Sequence, residues 1–206
     1  MNNTNKVAWF VFVVLAITIG LYPLFYLFVD REFGLLASKS ESLLSNVFWN
    51  IGFYGHIMFG GIALLIGWIQ FSKKMRTRNL NRHRLIGKIY VGSAVLSGVC
   101  GIGIGFFATG GIIASLGFIL LGIFWLYATT TAYKAVRIGD IELHQAFMIY
   151  SYALCFAAVT LRIWLPLLTI AFGNFVSAYR IVAWLCWVPN LIFAYFWVRR
   201  KGLQLG

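Results

Sequence analysis

The sequence predicts an all-α integral membrane bundle of about six transmembrane helices, with both termini in the cytoplasm. Three observations carry that reading. Of 206 residues, 61% are hydrophobic and 11% charged, with a mean hydropathy of +0.86, whereas a soluble domain carries roughly 25% charged residues. The apolar residues gather into runs near 7–29, 47–71, 85–107, 112–134, 142–165 and 178–198, each about as long as the roughly 20 residues that cross a hydrocarbon core of about 30 Å. The charges fall mainly in short clusters between those runs.

The first run is too long for the hydrophobic part of a secretion signal and no Ala-x-Ala-like site follows it, so it is expected to stay attached as a helix kinked at Pro23. The 30–46 segment contains Asp30, Glu32 and Glu41 with Leu35, Leu36, Leu43 and Leu44, a pattern for a piece lying along the membrane surface. On the second run Gly52, His56, Gly60, Ala63 and Gly67 share one helical face, and on the third His83, Gly87, Tyr90, Ala94, Gly98 and Gly101 do. Small residues at this spacing let membrane helices approach closely, or admit a flat cofactor. On the fourth, Thr129, Thr130 and Thr131 are expected to bond their own backbone.

The fifth run opens with Asp140 as N-cap and Glu142 in the first turn. His144, Ser151, Cys155 and Arg162 then align, because 18 residues make five turns, and Arg162 lies about 27 Å along the axis from His144. Asn50, Gln70 and Asn190 are expected to tie helices together. No repeat or soluble insertion interrupts the pattern, so residues 1–206 read as a single membrane domain.

Orientation follows from the 17 Lys and Arg. Lys6, the cluster from Lys73 to Lys88, Lys134, Arg137, Arg199, Arg200 and Lys201 put thirteen on one side, against Arg31, Lys39, Arg162 and Arg180 on the other. The richer side is the cytoplasmic one, and a bacterial inner membrane is expected. The net charge of +12 raises nucleic acid as a partner, but the placement of the charges argues against it and points to anionic lipids at the cytoplasmic face. Cys100, Cys155 and Cys186 all sit in apolar runs without a Cys-x-x-Cys pair, which disfavours a disulfide framework or thiolate metal site.

Polar groups inside a membrane are costly and are the place to look for function. His83 and His144 open the third and fifth runs, which run in the same direction, so the two imidazoles share a depth. A pair of this kind can ligate one b-type haem, with Arg84 or Lys88 against its propionates. No other metal is expected. Two alternatives stand beside it. The 72–88 basic loop with His83 can bind an anionic lipid headgroup or a partner protein, and the buried polar residues His56 and Arg162 can serve a transporter for a neutral or anionic small molecule. No Asp or Glu lies deep in a run, which argues against a carboxylate proton relay. Phosphate-binding glycine loops, His-Glu-x-x-His and nucleophile elbows are also missing from the sequence.

The segments Tyr54-Gly55-His56-Ile57-Met58, Ile69-Gln70-Phe71, His83-Arg84-Leu85-Ile86-Gly87-Lys88-Ile89-Tyr90, His144-Gln145-Ala146-Phe147-Met148 and Thr160-Leu161-Arg162 resemble a bacterial family of polytopic membrane proteins, the domain of unknown function numbered 2306. The resemblance covers about residues 50–168 and implies a membrane fold without an activity; Phe147 stands where the family has Trp. A fainter similarity is to the six-helix, two-haem transmembrane cytochromes b, which place histidines on four consecutive helices. His56, His83 and His144 fall on helices two, three and five, and the fourth-helix ligand is missing.

Overall fold

The computed structural model describes residues 3–28 and 34–203, so Asp30, Arg31 and Glu32 lie outside the described residues. Among the described residues six helical stretches are long and apolar enough to cross a membrane: Lys6–Tyr26, Val47–Phe71, Leu80–Gly105, Ile112–Arg137, Ile141–Phe172 and Phe175–Arg200. Local chemistry sets where they begin and change character. Helix α1 (Asn3–Leu21) tightens into a 3-10 turn over Tyr22–Leu27, with Pro23 at its start, because proline lacks the N–H that a continuing α-helix would use.

After a 3-10 turn at Leu36–Ser38 and the short α2 (Glu41–Leu44), Asn46 caps α3 (Val47–Gly67), its Oδ1 accepting from Trp49 N at 3.0 Å. A 3-10 turn over Trp68–Phe71 ends that span, and the basic α4 (Lys73–Arg78) follows. Asn79 caps α5 (Leu80–Gly105), and α6 (Ile112–Arg137) returns. Asp140 caps α7 (Ile141–Cys155) by accepting from Leu143 N at 2.9 Å. The fifth span breaks locally at Phe156 before α8 (Ala157–Phe172), and the sixth is divided into α9 (Phe175–Leu185) and α10 (Val188–Arg200), with Pro189 in the first turn of α10.

The most extensive pairing is α3 against α5, followed by α6 against α7 and α5 against α6. The α3–α5 seam is made by missing side chains. A Cβ on Gly52 would stand 3.0 Å from Ile104, one on Gly55 3.0 Å from Cys100 Sγ, and one on Gly60 2.9 Å from Ser97 Oγ. At the end of the same face Gly67 lies under the rings of Tyr152 and Tyr90. Gly117 does the same for α6 and α9, where an added Cβ would meet Ala183 O at 2.8 Å.

A buried hydroxyl chain ties three helices at the centre. Thr129 Oγ1 donates to Trp125 O at 2.7 Å, so it accepts from Ser151 Oγ at 2.6 Å, and Ser151 in turn accepts from Tyr90 at 2.7 Å. Tyr152 donates across to Leu64 O at 2.9 Å, joining α7 to α3. Asn190 reaches Ala153 O at 3.1 Å and Cys186 O at 3.0 Å, a bond between helices as the sequence suggested. Asn50 instead bonds Leu44 O and Asn46 O in its own connection, because its position one turn into α3 places the amide beside the incoming chain. Gln70 Nε2 is buried and has no partner among the described residues.

Backbone contact at Gly117 cannot relax as a side-chain end would. Gly117→Val should therefore lower stability by about 1–3 kcal/mol or more, whereas Gly103→Ala, with nothing within 4 Å of its Cβ direction, should leave stability equal or raise it by up to about 1 kcal/mol. Thermal unfolding in detergent compares the two.

Candidate functional site

The small residues that bring α3 and α5 together also leave space on the far side of the seam. A partly open cavity of about 780 Å³ is lined by α1 and the 3-10 turn after it, the connection before α3, and helices α3, α5, α6, α7, α8 and α9. Gly60, Gly61, Gly98, Gly101, Gly105 and Gly122 all reach its wall, and Trp49, Phe53, Phe118 and Trp125 give it a broad aromatic lining. Its size falls within the roughly 300–1,000 Å³ of small-molecule sites, which are mostly apolar with a few placed polar groups.

Arg162 is the principal polar group in that wall. Its Nη1 donates to Ala158 O at 2.9 Å, and the guanidinium carbon lies 4.5 Å from the centre of the Tyr22 ring. Tyr26 and Tyr22 are the groups that act on it electrostatically, and among the described residues no carboxylate pairs with it. Pro166 stands one turn later within α8 and supplies no N–H to the Arg162 carbonyl.

His56 lies across the same cavity. Its Nδ1 donates to Ser97 O at 3.0 Å, since a carbonyl only accepts, and the Ser97 hydroxyl donates to His56 O at 2.8 Å. In the neutral ring this fixes the proton on Nδ1 and leaves Nε2 as acceptor. Arg162 is within electrostatic reach of His56. The structure therefore brings His56 and Arg162 to one site.

Sequence reasoning missed Lys39, whose single charge on a surface segment carried no signal of its role. Lys39 reaches the rim of the cavity and donates to Phe107 O and, at 2.9 Å, to Thr109 Oγ1. Beside it, Ser38 donates to Leu35 O at 2.7 Å and accepts from Thr109 at 2.8 Å. The connection before α3 is thereby strapped to the α5–α6 loop.

His83 and His144 stand at the opposite, basic end. His144 Nδ1 donates to Ala132 O at 2.8 Å, and among the described residues its Nε2 is left free and the buried His83 Nδ1 has no partner. The two rings are within electrostatic reach of each other, and Arg76 on α4 reaches both. Arg84 acts on His83, while Arg84 and Lys88 are exposed on α5. Among the described residues no group of three or more His, Cys, Asp or Glu is placed to hold a metal ion.

The profile of a family described as predicted membrane protein (DUF2306) matches residues 53–198. The chain belongs to the DUF2306 family. No curated protein and no solved structure matches it significantly, so the similarity to the cytochromes b gains no support there. In this DUF2306 protein the family region includes His56, Gln70, His83, His144 and Arg162, whereas Tyr22, Tyr26 and Lys39 precede it. It is a multi-pass membrane protein, as the six spans show.

Burial holds the Lys39 ammonium below the usual lysine range, at about 8. Between about pH 8 and the ordinary value near 10.4 the unfolded chain keeps a proton that the folded one has lost, so this group's contribution makes stability rise with pH across that window. Lys39 should acetylate with a half-maximal rate near pH 8, as read by peptide mass spectrometry across a pH series.

Proposed function

We propose that the protein binds a small amphipathic anion in the cavity beside Arg162 and His56 and carries it across the membrane. The observation that carries this reading is the Arg162 guanidinium, set in the wall of an aromatic cavity of about 780 Å³ with no carboxylate partner among the described residues. A cation removed from water without a counter-charge is costly, and intramembrane ionisable residues mark substrate pathways. An anionic head supplies the missing charge. Its apolar body fits against Trp49, Phe53 and Trp125, and His56 Nε2 accepts a hydrogen bond from a hydroxyl or protonated acid on the same ligand.

The distribution of Lys and Arg, thirteen against four, supports placing the basic end and both termini in the cytoplasm. In that orientation the cavity lies toward the outer face. Radiolabelled dodecanoate retained by protein in nanodiscs, with empty discs as blank, tests binding. Retention should saturate and weaken about tenfold or more in Arg162→Gln, as expected for losing a hydrogen bond to a charged group. Absence of saturable retention, or retention unchanged in Arg162→Gln, would contradict the reading; retention without uptake into protein-containing vesicles would remove carriage and leave binding.

A second reading is favoured by one detail at the basic end. The Nδ1 bond of His144 to Ala132 O leaves Nε2 free, which is the arrangement a ligating imidazole takes. His83 fits less fully, since its Nδ1 has no carbonyl or carboxylate to orient the ring. A b-type haem held by the two would supply one-electron redox chemistry, with Arg84 or Lys88 near its propionates. An oxidised-minus-reduced spectrum of haem-replete protein should then show a low-spin b-type signal that disappears in His83→Ala and in His144→Ala. A blank spectrum in well-folded protein removes this reading.

A further inference from the structure

The basic end contains a second feature that the cavity does not explain. Gln70, only 8% exposed, lies at the end of the second span, its Nε2 buried and without a partner among the described residues. Its carboxamide lies against Gly87, where an added Cβ would stand 3.3 Å from Gln70 Oε1. One helical turn back along that face of α5 is His83, whose buried Nδ1 also has no partner among the described residues. Buried polar atoms are nearly always hydrogen-bonded, so two nitrogens without a partner among the described residues call for one, and with its proton on Nδ1 His83 donates as Gln70 Nε2 does.

Charge identifies that acceptor. Arg76, on the short helix joining the second and third spans, acts electrostatically on His83 and His144, and Arg84 acts on His83. No ion pair neutralises these groups among the described residues. Donors and cations converge and acceptors are scarce, which suits a phosphate with its several acceptor oxygens.

We propose that Gln70, His83 and Arg76 together bind a phosphate group, either the headgroup of an anionic phospholipid or a free phosphate, which reaches the two buried nitrogens when the surface over them opens. Gln70 Nε2 donates to one oxygen and His83 Nδ1 to another, while Arg76 supplies the counter-charge from the aqueous side. A side chain at Gly87 would crowd the Gln70 amide, which would have to shift by a few tenths of an ångström. The site lies at the opposite end from Arg162 and stands whether or not the cavity takes an anion. It also stands whether or not iron occupies the histidine pair, because Gln70 and Arg76 are no part of that pair.

The test is thermal unfolding of the purified full chain in a neutral detergent, titrated separately with inorganic phosphate, short-chain phosphatidylglycerol and a diacylglycerol of the same chain length. Saturable stabilisation by phosphatidylglycerol alone identifies a lipid headgroup, and stabilisation by inorganic phosphate as well identifies a site for the free ion; either supports the proposal. The apparent affinity should fall about tenfold or more in Arg76→Gln and in Gln70→Met. Arg76 is exposed and its replacement leaves the packing intact, and methionine keeps the volume of Gln70. Stabilisation by neither phosphate probe, equal stabilisation by diacylglycerol, or affinity undiminished in Arg76→Gln would overturn it.

Discussion

The close approach of α3 and α5 is the contact on which the rest of this molecule depends. Between two helices in lipid there is no hydrophobic drive to association, so the attraction comes from van der Waals contact and interhelical hydrogen bonds. Gly52, Gly55 and Gly60 permit that contact. Once the backbones are close, Ser97 can bond His56 through both its carbonyl and its hydroxyl environment, and Gly67 can receive the rings of Tyr90 and Tyr152. Those two tyrosines carry the hydrogen bonds that gather α6 and α7 onto the pair.

The same removal of side chains that closes the seam opens the cavity. Glycines that pack against a neighbour on one edge expose backbone to free volume on another, and large aromatic rings fill the perimeter without filling the centre. Among the described residues, Arg162 then faces a space in which its charge meets tyrosine rings, a backbone carbonyl and His56. A chain with five acids against 17 Lys and Arg has few means of neutralising such a charge from within. The two ends of the bundle thus share one chemistry, cations and donors in excess of acceptors, realised once within a span and once at the basic boundary.

Much of the architecture was legible because it follows from period and composition. Six apolar runs, the turn at Pro23, the Asp140 cap and the glycine faces are all local or periodic signals. The shared location of His83 and His144 follows from two spans running in one direction, and the structure places them within reach of each other. What period could not give is how one face meets the next. It did not show that Arg162 and His56, distant in sequence, border one cavity. Nor did it show that Asn50 bonds locally, that Gln70 Nε2 lacks a partner, or that Lys39 straps the rim, since each depends on the backbone of another segment.

Native mass spectrometry of the protein released gently from its own membranes tests the central claim most directly, because it asks what the cavity holds without choosing a probe. The account predicts a bound acidic amphiphile that is retained by the native protein and absent from Arg162→Gln. A protein that carries no such molecule under conditions that preserve lipid adducts, or one that keeps it equally well in the variant, would contradict the assignment of Arg162 as the charge that receives it.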